Sequence, residues 1–164
     1  LGRPPFTIEV GVYELRDEFD LPGMRVLQFG FGNEPSATYH LPYSYTHNSV
    51  VYTGTHDNNT VVGWYDDARK DAHKKVPAVN FNLLRNYFDS DRADIHWKMI
   101  REAMKSAANL AIFPTQDILG LDKTARMNVP GKPTGNWRWR MTKGALTKKL
   151  AARLYKETQT FNRH

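Results

Sequence analysis

Apolar residues recur at two different periods along this chain, and the switches between them mark its elements. Ile8, Val12, Leu15 and Phe19 fall at helical spacing, which predicts a helix from Thr7 to Phe19, broken by Leu21-Pro22-Gly23. Met24-Arg25-Val26-Leu27-Gln28-Phe29 is apolar and β-prone and predicts a strand, closed by Gly30-Phe31-Gly32-Asn33. A polar stretch rich in Pro and Tyr, Glu34 to Asn48, reads as loop. Ser49-Val50-Val51-Tyr52-Thr53 predicts a second strand, Gly54 to Asn59 its end, and Thr60 to Ala68 the start of a helix. Phe81 to Phe88 predicts one or two helical turns. Asp94 is placed to cap a helix running to Leu110, with Ile95, Met99, Ala103 and Ala107 every four residues. Ala111-Ile112-Phe113 predicts a third strand, stopped by Pro114. Gln116 to Met141, rich in Gly, Pro and Asn, reads as irregular, and Thr142 as the cap of a last helix striped by Leu146, Leu150 and Leu154.

Strands alternating with helices predict an α/β fold whose parallel sheet is covered by helices. The strands are near-continuous apolar runs, as buried parallel strands are. Each long loop follows a strand, and in a (β/α)8 barrel such loops build the active site. Three strands are visible, whereas a barrel takes eight in about 250 residues. The pattern therefore fits either a small open α/β domain or a piece of a barrel. Residues 1–164 read as a single segment without internal repeats or low-complexity tracts.

Composition narrows the picture. The chain has 164 residues and a hydrophobic fraction of 40%, enough for one packed core. No run approaches the roughly 18 apolar residues of a membrane span. Leu1-Gly2-Arg3-Pro4-Pro5 carries neither an initiator Met nor a signal-peptide pattern, so the chain is expected to begin inside a longer gene product. It has no cysteine, which rules out disulfides and thiolate chemistry and agrees with a cytoplasmic enzyme. The net charge of +6 raises nucleic-acid binding, but the basic residues are spread among acids and read as solvated helix faces.

Three segments can carry chemistry. In Thr53-Gly54-Thr55-His56-Asp57-Asn58-Asn59-Thr60 a strand runs into a carboxylate and an imidazole, which can bind neighbouring sugar hydroxyls and steady a positively charged transition state. The same residues fit a turn that merely caps the next helix. After the third strand, Gln116 and Asp117 can bind hydroxyls, or Asp117 can cap a helix. From Met127 to Arg140, Trp137 and Trp139 alternate with Arg138 and Arg140. Trp faces pack on sugar rings, the alternation also suits stacking on single-stranded bases, and it equally fits a plain strand with both Trp residues buried. His40, His47, His56, His73, His96 and His164 show no pair at metal-ligand spacing, and no phosphate-cradling loop or nucleophile elbow occurs. No metal and no cofactor are expected.

Taken together, the motifs resemble one family. Leu21 to Phe29, then Asn48-Ser49-Val50-Val51-Tyr52-Thr53-Gly54-Thr55-His56-Asp57-Asn58 with Gly63-Trp64, then Pro114-Thr115-Gln116-Asp117-Ile118-Leu119-Gly120-Leu121, Ala125-Arg126-Met127-Asn128 with Pro130-Gly131, and Gly135-Asn136-Trp137-Arg138-Trp139-Arg140, in this order, are similar to the amylomaltases of glycoside hydrolase family 77. The resemblance covers Leu21 to the end. It implies a (β/α)8 barrel, with the three strands as its sixth to eighth. It implies transfer of α-1,4-glucan segments from donor to acceptor sugars with retained configuration, through a glycosyl-enzyme. The implied substrates are maltooligosaccharides, with glucose or maltose as acceptors.

The resemblance gives Asp57 the role of transition-state stabiliser, with His56 assisting on the same sugar. Asn58, Gln116, Asp117, Asn128, Asn136 and Trp137 become substrate-binding, and Asn128 to Asn136 looks like the family's mobile loop over the cleft. The nucleophile motif of the family, of the Arg-Ile-Asp-His-Phe-Arg-Gly type, is missing, and Leu1-Gly2 are all that can remain of its Glu-Asp-Leu-Gly acid motif. The chain alone is thus expected to lack the covalent step and to need the remainder of the barrel as partner. A non-catalytic glucan-binding module is the alternative. The location implied is cytoplasmic, or plastid in a plant or alga. A partial barrel bares strand edges, so association of the isolated chain is expected.

Overall fold

The computed structural model describes residues 10–89 and 92–163. The helix start at Thr7 and the residues Leu1, Gly2 and Ile8 lie outside them. Within them, helix α1 (Val10–Glu18) leads to strand β1 (Gly23–Val26), three stretches of 3-10 helix (Leu27–Phe31, Pro35–His40 and Pro42–Ser44), strand β2 (Ser49–Tyr52), helices α2 (Val61–Asp71), α3 (Phe81–Phe88) and α4 (Ile95–Lys105), strand β3 (Leu110–Ile112), a short helix α5 (Thr115–Ile118), a 3-10 turn (Lys123–Ala125) and helix α6 (Lys148–Thr160). The strands form one parallel sheet in the order β1-β2-β3. The register aligns Met24 with Val50 and Leu110, and Val26 with Tyr52 and Ile112.

The first strand is shorter than its apolar run. Leu27 and Phe31 are both fully buried while Phe29 between them is half exposed. Strand alternation would put all three on one face, whereas a helical turn buries the outer two without the third. Phe31 then sits among Trp64, Tyr87 and Phe88, with ring centroids 5.4–5.9 Å away. Gly30 is required here, because a Cβ would meet Leu41 Cδ2 at 2.6 Å.

The fourth helix stops at Lys105, before the expected Leu110. The Ser106 hydroxyl donates to Ala103 O, and Asn109 N leaves the helix to bond His47 O at 2.9 Å. The Arg163 guanidinium collects the carbonyls of Met104, Ser106 and Ala108 at this end. A cation there satisfies orphan C=O groups and opposes the helix dipole. Strand β3 consequently begins one residue early, and Phe113 packs in the core beyond its end.

The last helix is capped by Thr147, whose Oγ1 accepts from Leu150 N, and not by Thr142. Gly144, at φ +80°, turns the chain first, with Ala145 N bonded to Thr142 O. Leu150 and Leu154 pack against Trp97, Ile100 and Met104, whereas Leu146 stays exposed.

Helix α4 organises the interior. Ile95, Met99 and Ala103 face the sheet side, joining Leu27, Phe31, Val61, Tyr65, Leu84 and Phe88 in one cluster and Val51 and Ala108 in another. The covered face of the sheet also buries Arg25, whose guanidinium lies 3.4 Å from the Tyr39 ring centroid and donates to Tyr39 O. The opposite face is largely uncovered, with Met24, Leu110 and Ile112 39–50% exposed, although Val26 on it is buried. The stripe Val12, Leu15 and Phe19 of α1 also faces outward.

Candidate active site

The carboxyl ends of β2 and β3 open into a cavity of about 540 Å³. Its wall includes Gly54 to Thr60 after β2, Phe113, Pro114 and Gln116 after β3, and Arg126, Met127 and Trp137 from the long irregular stretch. Loops beyond strand ends are where ligands gather in parallel α/β sheets.

The first loop is rigid for local reasons. Asn58 Oδ1 accepts from both Thr55 N and Thr55 Oγ1, at 2.9 and 2.8 Å, and Asn58 N returns to Thr55 O. The turn is closed on itself by Asn58, while the cap of the next helix is made by Thr60, whose Oγ1 accepts from Gly63 N, so His56 and Asp57 face outward rather than being spent on the cap. Gln28, buried beside it, donates from Nε2 to Asn59 O. A Cβ on Gly54 would meet that same Nε2 at 2.7 Å.

Asp57 is half exposed at the cavity wall. Its Oδ1 accepts from Asn128 Nδ2 at 2.5 Å and lies 3.4 Å from His56 Nε2. Arg126 Nη2 donates to Asp57 O at 2.6 Å and Arg126 Nε to Asn128 O at 2.8 Å, while Asn128 N donates to His56 O. The long stretch is thereby stitched onto His56 and Asp57 at three points, and the bond between Arg126 and Asn128 braces it from within. The sequence does not single out Arg126 as a site residue. Its one signal is its place beside Asn128, and its partner on the first loop is a backbone atom some seventy positions away.

Trp137 covers this arrangement. Its ring stands 5.1 Å from the His56 ring at 36°, and its amide donates to Met127 O. Its φ of +60° is uncommon for an aromatic residue and marks a conformation held by its surroundings. Those surroundings are in part Asn136, whose side chain accepts from Val129 N and donates to Lys132 O, tying the loop from 129 to 136 into one piece. Trp137 is 53% exposed and no strand forms here, which removes the plain-strand explanation of the Trp-Arg alternation.

Gln116 is buried at the cavity floor and donates to Ala125 O at 3.3 Å. Asp117, expected at the sugar face, is turned inward and is absent from the wall. It is 1% exposed; Oδ2 accepts from Thr53 Oγ1 at 2.6 Å and Oδ1 from Val61 N at 2.7 Å. Burial pushes its carboxyl up to about 6, against the pull of those two bonds.

The cavity thus offers one carboxylate, an imidazole, primary amides and an indole face, a set suited to hydroxyl-rich rings and to a cationic sugar transition state. A retaining glycosidic reaction uses two carboxyl groups about 5–5.5 Å apart, and among the described residues the wall holds one carboxylate, Asp57. Among the described residues no cluster of His, Asp or Glu could hold a metal ion, and no helix is long and apolar enough to cross a membrane.

Comparisons with known proteins identify the family. The family model for 4-alpha-glucanotransferase matches residues 6–147. The chain is 45% identical over 153 residues to a 4-alpha-glucanotransferase of Synechocystis sp., covering 93% of the chain and 29% of the relative. It is 43% identical over 145 residues to that of Thermus thermophilus, covering 87% of the chain and 28% of the relative. A solved amylomaltase from Streptococcus agalactiae, in complex with acarbose, superposes with a TM-score of 0.81 at 28% identity, over 96% of the chain and 30% of that structure. The chain spans less than a third of the length of each of these proteins. The ordered motifs, the parallel sheet and the family match over residues 6–147 together make this chain a member of the 4-alpha-glucanotransferase family.

Proposed function

We propose that this chain supplies the sixth to eighth strands of a (β/α)8 barrel in an enzyme that transfers α-1,4-glucan segments between maltooligosaccharides. The supporting observation is the half-exposed carboxylate of Asp57, presented from the end of β2 into the cavity and flanked by His56, Asn128 and Trp137. The largely uncovered face of the sheet supports the barrel, because parallel sheets are covered on both sides.

In the proposed reaction a carboxylate from the remainder of the barrel attacks the anomeric carbon while a second carboxyl group there protonates the departing oxygen. A glycosyl-enzyme forms and the shortened glucan leaves. The acceptor hydroxyl, glucose or maltose in the simplest case, then attacks the same carbon and gives its proton back to the second group. The Asp57 carboxylate stabilises the positive charge on the ring as the glycosidic bond breaks. His56 bonds the same sugar. Trp137 offers a face to a neighbouring ring, and Gln116, Asn128 and the amide nitrogen of Asn58 are its hydroxyl partners. Asn136 shapes the rim from beneath. The reaction takes place in the cytoplasm, or in a plastid where the source is a plant or alga.

Incubating the full-length protein with maltotriose tests this. Glucose together with maltopentaose and longer chains is expected. Glucose and maltose alone, the products of hydrolysis, would contradict transfer.

A further inference from the structure

Asp117 sits where a carboxylate is hard to accommodate. It is 1% exposed, and among the described residues no Lys, Arg or His pairs with it. Neutral donors alone hold it, a hydroxyl on one oxygen and a backbone amide on the other. A buried anion kept without a counter-charge calls for a reason in what its two oxygens join.

What they join is specific. Thr53 is the residue directly after β2, and Val61 is the first residue of α2. The seven residues between them form the loop that carries His56, Asp57 and Asn58. One carboxylate therefore grips both stems of that loop from below, while the loop's own turn bonds brace its middle and Gln28 holds Asn59 near its end. The grip is anchored in α5, whose backbone follows β3, so it also ties the end of β3 to the end of β2. The N-terminus of α2 adds its partial positive charge, which favours an anion at this place. Neither oxygen is left to meet a sugar.

We infer that Asp117 is a positioning residue: by clamping Thr53 and Val61 it fixes the loop that aims Asp57 and His56 into the cavity. For its effect on turnover the inference rests on the glucan-transfer reading; for its effect on the loop it does not. Misplacing a catalytic group by about 1 Å lowers turnover on the order of a hundredfold. Loss of contacts that matter only in the transition state lowers kcat without raising KM.

The test compares Asp117→Ala, Asp117→Asn and Thr53→Val with the wild type, all in the full-length protein. Two readouts are taken: maltotriose transfer kinetics, and amide hydrogen exchange at residues 54–60 against α4. Asp117→Ala is expected to lower kcat roughly 10- to 100-fold with KM within about threefold, and to speed exchange at 54–60 but not in α4. Thr53→Val, which removes one arm of the clamp, is expected to lie between. Asp117→Asn can still accept from Val61 and donate to Thr53 Oγ1, so it is expected to restore most of both readouts. If Thr53→Val and any folded Asp117→Ala keep wild-type kcat and wild-type exchange at 54–60, the clamp is overturned. It is also overturned if exchange rises equally in α4, which marks plain destabilisation. If the wild type shows no transfer, the functional reading falls, and exchange at 54–60 still decides the clamp: faster in the variants supports it, unchanged overturns it.

Discussion

At the scale of single residues, two titratable groups, the half-buried His40 and the buried Asp117, pull stability in opposite directions in mild acid. His40 Nδ1 accepts from Val26 N, and burial, together with the neighbouring Arg25 cation, pushes the ring down to about 4. Its folded value lies below the unfolded one of about 6.5, so the unfolded chain binds the proton first, and stability falls as pH drops from about 6.5 towards 4. Asp117 behaves in the reverse sense. Its folded value of about 6 lies above the unfolded one near 3.8, so its ionised form burdens the fold above pH 6, and the burden lifts as pH drops from 6 towards 3.8. The relief amounts to roughly 3 kcal/mol, at about 1.4 kcal/mol per pH unit. Asp117→Asn removes it. Urea unfolding at pH 7 and pH 4 should therefore show the wild type gaining on Asp117→Asn by up to about 3 kcal/mol in acid; an unchanged difference would contradict a buried, ionisable Asp117. This role cannot be seen in the sequence, because the partners of Asp117 lie 64 and 56 residues away, and a Gln-Asp pair after a strand looks the same whether it faces in or out. His56 and Asp57 are legible because a glycine-led turn directly after an apolar strand exposes them, whereas Asn58 turns its side-chain oxygen back onto Thr55.

At the scale of elements, helix ends are the hardest feature to place. Thr142 and Thr147 both stand before the Leu150 and Leu154 stripe, and both are good capping residues. Only the left-handed Gly144 and the fit of Leu150 onto Trp97 and Ile100 decide for Thr147. Thr147→Ala should cost about 1 kcal/mol in urea unfolding and Thr142→Ala much less; equal effects would put the helix start elsewhere. The end of α4 is invisible for a similar reason. Ala107 and Leu110 continue the apolar period, but Arg163, fifty-odd residues on, draws the carbonyls of this segment out of the helix. The strands, by contrast, lie within one to three residues of their predicted bounds, since a buried parallel strand needs a short apolar run and shows it. The exception, Leu27–Phe31, is a run whose burial follows a helical turn instead of an alternation.

At the scale of the whole molecule, the chain has a finished side and an unfinished one. Helix α4 packs on one face of the sheet, and α2 and α3 join it with Leu27 and Phe31 to build the core. The other face leaves Met24, Leu110 and Ile112 in the open, next to the cavity that holds Asp57. Apolar rows on a parallel sheet call for a covering layer, and in a barrel that layer is the rest of the interior. The two carboxylates that the proposed reaction still needs would come from there, which leaves this chain the stabilising carboxylate and not the attacking one. That assignment is tested most directly by maltotriose transfer in the full-length protein carrying Asp57→Asn. The variant keeps the side chain's size and its place beside Asn128 but loses the charge. Its kcat should be lower by about 10²- to 10³-fold with KM for maltotriose nearly unchanged. Wild-type kcat, or a rise in KM alone, would contradict a stabilising role for the Asp57 carboxylate.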